Sequence, residues 1–363
     1  MKERIIVGAS SAIALLFALT GLALPVIATS PVGRIVEKQG EVALKRGRRL
    51  IKPVTKGTEL YAGDLLKPTR QSIIVVRCVK GNTWILSAGV ESNINNRCKI
   101  AKAALGSTNT DDTRGGSDPS VPYVISPRKT RVLNGKLTMR WNAAPSATNY
   151  TVIVRAPGFT WKVTGVKGTE VIYAGEPLKA KVSYSIVIEA EGCTSSKCSS
   201  EDDDSQAGTG FTLMDEVEAQ RIQSEVKRLN EQDLSDEAKA LVLADFYAEQ
   251  NLMSDAIQTL ETLVNQESKT VTVYRMLGEF YERVELSLLS KDRYGKALEL
   301  AKTDEDVSSQ AAVKAGLARI FWGLGSKELA MRYLKEAQSA YKSLEDAERV
   351  KELAVLLAEW QKE

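Results

Sequence analysis

The sequence contains no histidine among its 363 residues. Imidazole is the most frequent general base and metal ligand in proteins, so its absence excludes the serine and cysteine triads that depend on it. Only four cysteines are present, and no two of them are spaced C-x-x-C, which disfavours a four-thiolate zinc site. The chain therefore lacks the side chains on which many hydrolases and metalloenzymes depend.

Other catalytic patterns are scarce. The S-x-x-K strings that begin at Ser224 and Ser339 stand in helical segments without the companion S-D-N or K-T-G strings. No two of the 46 acidic residues are marked as a glycosidase pair. The acidic run at residues 201–204 lacks the glycine and distal glutamate of an EF-hand, so we interpret it as a solvated loop. We predict that the protein is not an enzyme and has no catalytic residues, no metal site and no cofactor.

The N-terminal segment predicts export. Lys2 and Arg4 precede an apolar stretch at residues 5–27, in which a proline comes just before the triplet Val26-Ile27-Ala28. These are the features of a secretory signal peptide, here covering residues 1–28. The alternative is an uncleaved inner-membrane anchor, because the stretch is long enough to span a hydrocarbon core of about 30 Å. We predict an exported, periplasmic protein of the cell envelope that is soluble after cleavage.

Export favours disulfide bonds between the cysteines, because exported proteins enter oxidising compartments. The four cysteines allow three pairings, and only local pairing avoids joining separate domains. We therefore predict one disulfide between Cys78 and Cys98 and a second between Cys193 and Cys198.

Two polar tracts divide the remaining chain. Residues 107–120 contain no large apolar side chain and are interpreted as a linker, and residues 194–210 form a second loop-like tract. The charge changes along the same divisions. Residues 29–106 hold 15 basic and 5 acidic side chains, whereas residues 213–363 hold 20 basic and 29 acidic ones. The chain is thus basic at its head and acidic at its tail.

Short alternating runs predict a β domain at residues 29–106, with strands at 33–37, 41–44, 50–54, 72–79 and 82–86. Two G-x-V-type openings at Gly33 and Gly40 are followed by the string GTELYAGDLL at 57–66 and a Gly81-Asn82 turn. This framework resembles the FecR-like periplasmic domain. The resemblance implies a small β-rich module and an envelope location, and it carries no reaction.

Residues 121–212 predict a second β domain. Trp141 ends one alternating run, Tyr150 begins another nine residues later, and Leu178 precedes Tyr184 by six residues at the start of a third. This arrangement resembles a fibronectin type III or related immunoglobulin-like sandwich. The resemblance implies a core tryptophan and a tyrosine corner at Tyr184.

From residue 213 the period becomes helical and repeats emerge. The small residues Ala244, Gly278 and Ala318 each follow a leucine and precede an aromatic residue by three positions, at intervals of 34 and 40 residues. The partner helices carry small or aliphatic landmarks: Ala256, Leu260, Leu263, Ala297, Ala301, Ala330, Leu334 and Ala337. The first landmark of the partner helix follows by 12 residues in repeats one and three and by 19 in repeat two. The extra seven residues predict about two additional helical turns in repeat two.

These landmarks resemble the tetratricopeptide repeat, in which a small residue lets paired helices approach and an aromatic residue fills the gap. Helices at 215–229 and 344–360 are expected to cap the array. The resemblance implies that the first helix of each pair lines a peptide-binding face. By register, that face carries Asp245, Arg275, Glu279, Glu282, Arg319 and Trp322.

Both groups of candidate binding residues have an alternative. Charged side chains with an exposed tryptophan suit a segment of a partner protein, but they also suit the solvated side of an amphipathic helix. The basic cluster Lys45, Arg46, Arg48 and Arg49 is predicted at a hairpin tip, where we favour simple solvation. Its possible partners are an acidic envelope polymer, a lipid surface or the acidic repeat domain of the same chain. Nucleic acid is a poor partner for an exported chain whose basic residues lack interleaved aromatics.

The sequence thus predicts a multidomain protein of mixed α and β class: a small β domain, a β-sandwich and a C-terminal α-solenoid. We expect a non-catalytic envelope scaffold or adaptor that binds a protein partner through its helical groove. The alternative is a periplasmic sensor or regulatory component of a FecR-type signalling system. A carboxylate hydrolase that acts on cell-wall glycan is a third possibility.

Overall fold

The computed structural model describes residues 31–68, 73–78, 83–87, 92–94, 98, 116–193, 198–202, 210–231, 235–343 and 347–362. The predicted signal peptide at 1–28, residues 107–115 of the predicted linker and most of the tract at 194–210 lie outside these ranges. Asp203 and Asp204 of the acidic run lie outside them as well.

The N-terminal part, which we call the β-module, contains eight described strands in two antiparallel sheets. The strands are β1 Gly33–Gln39, β2 Val42–Arg46, β3 Arg49–Ile51, β4 Glu59–Leu60, β5 Leu65–Pro68, β6 Ile73–Cys78, β7 Thr83–Ser87 and β8 Ser92–Asn93. The first sheet has the order β4-β1-β6-β7 and the second β3-β2-β5-β8. Ile35, Leu44 and Ile74 lie in the one core that the two sheets share, which confirms the predicted β structure.

The glycine-rich string at 57–66 forms turns and the short strands β4 and β5, which the sequence pattern does not predict. Gly57 and Gly63 have φ values of 89° and 87°, in the left-handed region that glycine adopts most easily. Between them Leu60 is fully buried, and directly after them the carboxylate of Asp64 is fully buried too. Asp64 accepts hydrogen bonds from Nε and Nη2 of Arg46, each at 2.9 Å. The string therefore places a buried anion beneath the β2–β3 hairpin.

The middle part, which we call the sandwich, contains two further sheets. Its strands are β9 Val124–Ser126, β10 Thr130–Val132, β11 Thr138–Trp141, β12 Asn149–Ala156, β13 Phe159–Val166, β14 Glu170–Ile172, β15 Ser183–Glu191 and β16 Gly210–Leu213. One sheet has the order β10-β16-β15-β12-β13 and the other β14-β11-β9. Buried side chains from both sheets, including Met139 and Ile186, pack into one core.

Two sequence landmarks of the sandwich have the predicted surroundings. Trp141 is buried and lies edge-on to Tyr150, with 5.4 Å between the ring centroids. The hydroxyl of Tyr184 accepts a hydrogen bond of 2.7 Å from the backbone N–H of Lys179, five residues upstream. This bond from a strand-opening tyrosine to the preceding loop is the tyrosine corner that the sequence predicts.

The C-terminal part, which we call the helical array, contains eight described helices. They are α1 Glu216–Asn230, α2 Asp236–Glu249, α3 Met253–Asn265, α4 Val271–Arg283, α5 Ser287–Thr303, α6 Val307–Gly323, α7 Lys327–Ser343 and α8 Ala347–Trp360. Side chains of Asp215, Ser235 and Asp306 cap α1, α2 and α6 by accepting backbone N–H bonds, which satisfies free donors at the helix starts. The mixed α and β class is confirmed.

Three helix pairs, α2–α3, α4–α5 and α6–α7, repeat the same turn. A residue with positive φ stands seven positions after each small landmark: Asn251, Glu285 and Gly325. The landmarks Ala244, Ala256, Ala318 and Ala330 are fully buried. A left-handed residue ends the first helix of each pair and turns the chain back onto it. The helical repeats that the sequence predicts are thereby confirmed.

The stretched second repeat is not found. Ser290, which follows Gly278 by 12 residues, occupies the position of Ala256 and Ala330, and its hydroxyl donates a 2.8 Å hydrogen bond to the carbonyl of Gly278. The predicted landmark Ala297 follows Ser290 by seven residues and is therefore equivalent to Leu263 of repeat one, which follows Ala256 by seven. A search restricted to alanine misses Ser290. Serine is also small enough for this contact, but its buried hydroxyl needs a hydrogen-bond partner.

Both predicted disulfides are present. The Cα atoms of Cys78 and Cys98 are 5.3 Å apart, and those of Cys193 and Cys198 are 6.1 Å apart. The first bond ties β6 to the segment after β8, and the second closes a loop after β15. Two disulfides are typical of a protein from an oxidising compartment. No described helix is both long enough and apolar enough to cross a membrane.

Candidate protein-binding face of the helical array

The first helices of the three pairs, α2, α4 and α6, form what we call the first-helix face. All six residues predicted for partner binding lie on these helices, but several are buried. Asp245 is 4% exposed, Arg275 is 8% exposed and Trp322 is 7% exposed. Hydrophobic contacts and ion pairs within the chain account for this burial.

A cluster of charges centres on Glu279 in α4. Its carboxylate pairs with Arg275, one turn earlier on the same helix, and with Arg77 from β6 of the β-module, whose Nη2 lies 3.0 Å away. Arg77 also interacts electrostatically with Asp245 on α2. The cluster therefore joins three elements, two from the helical array and one from the β-module.

The charges in this cluster shift one another's proton affinity. Burial by itself raises the pKa of Glu279, but the positive charges of Arg275 and Arg77 outweigh it and hold the pKa at about 2. Burial lowers the pKa of Arg275 more than the charge of Glu279 raises it. For Arg77, the charges of Glu279 and Asp245 overcome the effect of burial and raise the pKa. Glu279 is thus an anion held between two cations at neutral pH.

A second cluster forms around Glu282. Its carboxylate accepts a 3.0 Å hydrogen bond from Nη2 of Arg319 in α6 and a 2.8 Å bond from the hydroxyl of Tyr294 in α5. The pKa of Arg319 is raised because the anionic Glu282 outweighs the effect of burial. These bonds link the second helix pair to the third, which shows that Glu282 and Arg319 support the array itself.

Trp322 is separate from both clusters and is not exposed, contrary to expectation. Its ring stacks on Trp360 at the end of α8, with 4.3 Å between centroids and an interplanar angle of 5°. From α7, Nζ of Lys327 lies 4.8 Å from the centroid of the Trp322 ring. The final helix therefore covers the third repeat, as expected for a capping helix.

The β-module covers the first-helix face. Val36 and Val75 from the first sheet form an apolar cluster with Ala238 and Val242 on α2 and with Leu229 at the end of α1. Arg77 reaches α4 from the same sheet. A Cβ placed on Gly57 would lie 3.9 Å from the carboxylate of Asp306, the cap of α6. The first sheet thus contacts α2 and α4, and the turn at Gly57 lies near the start of α6.

The basic cluster divides into a fixed and a free part. Arg46 is held by Asp64, by the carbonyl of Glu59 at 3.0 Å and by the ring of Tyr61, whose centroid lies 4.2 Å from its guanidinium carbon. Lys45, Arg48 and Arg49 are exposed around the two-residue turn. The predicted hairpin tip is therefore confirmed, and only three of its four cations face solvent freely.

The sandwich joins the array at the turns between paired helices. Arg128 is 1% exposed and donates hydrogen bonds to the carbonyls of Val284 at 2.7 Å and Glu285 at 3.3 Å, at the end of α4. The backbone N–H of Arg131 donates a 2.8 Å bond to the carbonyl of Asn251 at the end of α2. Two equivalent turns of the array thus bind one edge of the sandwich.

Sequence reasoning missed Arg77 and Trp360. Arg77 is the only charged residue of β6, IIVVRC, and a lone cation in an apolar strand is a signal that an anion lies opposite. Trp360 lies at a helix end near the C-terminus, where no local pattern reveals a partner. Within the described ranges, no group of three metal-ligating side chains is close enough to hold an ion.

Comparison with protein-family models gives no match, and comparison with curated proteins gives none either. Among solved structures, the chain is similar to the crystal structure of MamA, with 17% identity over 39% of this chain and 86% of that chain and a TM-score of 0.28. It is also similar to BtubC (BKLC) from P. vanneervenii, with 14% identity over 40% of this chain and 73% of that chain and a TM-score of 0.27. At these TM-scores neither similarity defines the fold or the function of this chain.

Proposed function

We propose that the protein is a non-catalytic, exported scaffold of the cell envelope that binds a protein partner through the first-helix face. One observation carries this proposal: the face already holds a folded protein surface, the first sheet of the β-module. The contact combines the apolar cluster around Val36 and Val242 with the ion pair between Arg77 and Glu279. Apolar contacts flanked by charge pairs are typical of protein interfaces.

Binding of a partner to this face competes with the β-module. A partner that resembles the first sheet, with apolar side chains beside a cation, would satisfy the same residues on α2 and α4. The partner's affinity depends on salt to the extent that the ion pairs contribute. The two disulfides support an oxidising location, and the FecR-like resemblance supports the cell envelope.

The experiment weakens the contact between the β-module and the array and measures whether a partner protein then binds the first-helix face. Val36→Asp and Val75→Asp each place a charge in the apolar contact from the side of the β-module, so the residues of α2 and α4 stay unchanged. A photo-crosslinking residue at Glu249, an exposed position of α2 near Asp245 and Arg77, reports on the first-helix face, and one at the exposed Lys335 of α7 is the control. We expect both variants to increase intermolecular cross-linking at position 249 in the native cell, with no increase at 335.

Two variants are used so that release of the contact is distinguished from a local effect of either substitution on the β-module. Retained circular dichroism confirms that the secondary structure persists. If neither variant yields an intermolecular adduct at position 249 above the level at 335, the face serves only to hold the β-module and the proposed function is wrong. A zymogram on cell-wall glycan tests the non-catalytic part separately.

A second candidate function is the regulatory component of a FecR-type system. It is favoured by the docking of the FecR-like β-module on the helical array through charges, since such a contact can be released by a ligand. Retention of residues 1–28 in the membrane of the native cell would support it. Release of a processed soluble form would oppose it.

A further inference from the structure

The two outer faces of the β-module have opposite surroundings. The outer side chains of the first sheet, Val36 and Val75, pack on the helical array. The second sheet turns its inner side chains, such as Leu44 and Leu66, toward the module's core. Its outer face therefore points away from the array and is open to solvent.

The outer face of the second sheet combines lysines with leucines. The strand register pairs Lys45 with Leu50 on one side and with Leu65 on the other, so these three side chains form one row across β3, β2 and β5. Lys67 lies on the same face, because its partner Ala43 alternates with the buried Leu44. Lys52 follows β3 directly and is exposed. We call Lys45, Leu50, Lys52, Leu65 and Lys67 the basic face.

No acidic side chain among the described residues pairs with the cations of this face. Among the described residues, none of the three lysines has an ion-pair partner, and neither do Arg48 and Arg49 in the adjacent turn. The nearest buried acid, Asp64, is already engaged by Arg46. An uncompensated group of five positive charges attracts an anionic surface and loses that attraction as salt increases.

Leu50 distinguishes a membrane from other anionic partners. Its side chain is 56% exposed, on β3 at the edge of the sheet and surrounded by cations. A solvated polymer gains nothing from an exposed leucine. A bilayer accepts the leucine at its interface while its phosphates pair with the lysines.

The hairpin is also rigid and close to the start of the module. Arg46 anchors the hairpin to the carbonyl of Glu59, and the next residue, Leu60, accepts a 2.8 Å bond from the N–H of Val32. The apolar stretch at residues 5–27 precedes Val32 by only a few residues, which span at most about 17 Å when extended. While that stretch is anchored in a membrane, the start of the β-module therefore lies within about 17 Å of it.

We infer that the basic face of the β-module is a binding surface for the anionic headgroups of a phospholipid bilayer. Lys45, Lys52 and Lys67 pair with lipid phosphates, Arg48 and Arg49 extend the charge, and Leu50 enters the headgroup region. The first sheet remains docked on the helical array, so the array is carried on the side of the module away from the membrane. This inference does not depend on the proposed partner of the first-helix face.

The test measures binding of the full chain to vesicles of phosphatidylcholine with and without 30% phosphatidylglycerol. The readout is the increase in partition caused by the anionic lipid, because the N-terminal apolar stretch contributes to both compositions. We expect the triple variant Lys45→Gln, Lys52→Gln and Lys67→Gln to reduce this increase by about tenfold or more, since each cation near an anionic surface contributes severalfold. The triple variant Lys335→Gln, Lys342→Gln and Lys351→Gln alters three exposed lysines of the array and should leave the increase unchanged.

A second variant separates a membrane from an acidic polymer. Leu50→Ala should lower vesicle binding severalfold and leave binding to polyglutamate unchanged. Equal vesicle binding by the wild type and the first triple variant would overturn the inference. Loss of polyglutamate binding in that triple variant, together with full vesicle binding by Leu50→Ala, would assign the face to an acidic polymer and would also overturn it.

Discussion

Tyr294 shows how single residues set the spacing of the array. Its ring is fully enclosed between the second and third helix pairs, where Gly278 and Gly316 face it from α4 and α6. A Cβ at Gly278 would come within 2.5 Å of the ring, a distance that real side chains do not show. The tyrosine also donates to Glu282, so it is held by a hydrogen bond as well as by packing. Two glycines and one tyrosine therefore act as a unit.

At the residue scale, we predict that Gly278→Ala lowers the free energy of unfolding by about 1–3 kcal/mol, because an added methyl group in a packed core forces side chains to move. Gly295→Ala is the matched control. It lies in α5 with no atom near the hypothetical Cβ, and a helical glycine replaced by alanine there should be neutral or stabilising by up to about 1 kcal/mol. Urea unfolding with the disulfides intact measures both. Equal behaviour of the two variants would contradict the packing described here.

The contact between β6 and α4 links two elements that are far apart in the sequence. Arg77 and Glu279 are separated by 202 positions, and Arg275 supports the carboxylate from within its own helix. A carboxylate between two guanidinium groups is strongly favoured in its ionised form. The docking of the β-module therefore depends on the protonation of Glu279.

At the element scale, the depressed pKa of Glu279 gives a pH dependence with a definite sign. Because the folded pKa of about 2 is below the ordinary value of about 4.5, the stabilisation is complete above pH 4.5 and is lost as the pH falls from there toward 2. Because the Glu279 side chain is partly exposed to solvent, this stabilisation amounts to about 1–2 kcal/mol. The thermal unfolding temperature of the wild type should therefore fall more steeply between pH 7 and pH 3 than that of Glu279→Gln.

Glu299→Gln is the control for this titration. Glu299 is an exposed carboxylate on α5 that pairs only with Lys296, so its removal should leave the pH profile unchanged. If the profile of Glu279→Gln matches that of the wild type, the contact between Arg77 and Glu279 does not hold the β-module in solution.

At the scale of the whole molecule, the three parts meet around the helical array. The β-module covers the first-helix face, and the sandwich binds the turns that end α2 and α4. Arg128 is central to the second joint, because its buried guanidinium satisfies carbonyls that the helix end leaves free. A rigid joint keeps the sandwich in a constant position relative to the array.

We predict that Arg128→Met weakens this joint. Loss of charge-assisted hydrogen bonds to buried carbonyls should cost about 2–3 kcal/mol, and the amides of residues 284–290 should exchange their hydrogens faster. Arg140→Met is the control, because it removes an exposed ion pair with Glu170 on the surface of the sandwich. It should leave both the free energy of unfolding and the hydrogen exchange at residues 284–290 nearly unchanged. Hydrogen exchange followed by mass spectrometry measures the effect, and unchanged protection at 284–290 would contradict the proposed joint.

The amino-acid sequence by itself determined the local structure. Period-2 alternation predicted strands such as β1, β6 and β12, the register of small residues predicted the helix pairs, and short separations in a chain predicted to be exported indicated both disulfides. These features depend on residues close together in the sequence, such as Leu178 and Tyr184 in the tyrosine corner. The misplaced landmark in repeat two shows the limit even locally, since a buried serine is acceptable only with the carbonyl of Gly278 as its partner.

Only the tertiary structure decided what the predicted binding residues contact. Arg77 meets Glu279 and Trp322 meets Trp360 because whole elements pack against each other. That packing depends on the summed burial of many side chains and on the shape of both surfaces, neither of which a local pattern contains. The same charged residue is solvated on an isolated helix and buried in an ion pair when a sheet lies over it. Which of the two occurs is a property of the assembled chain.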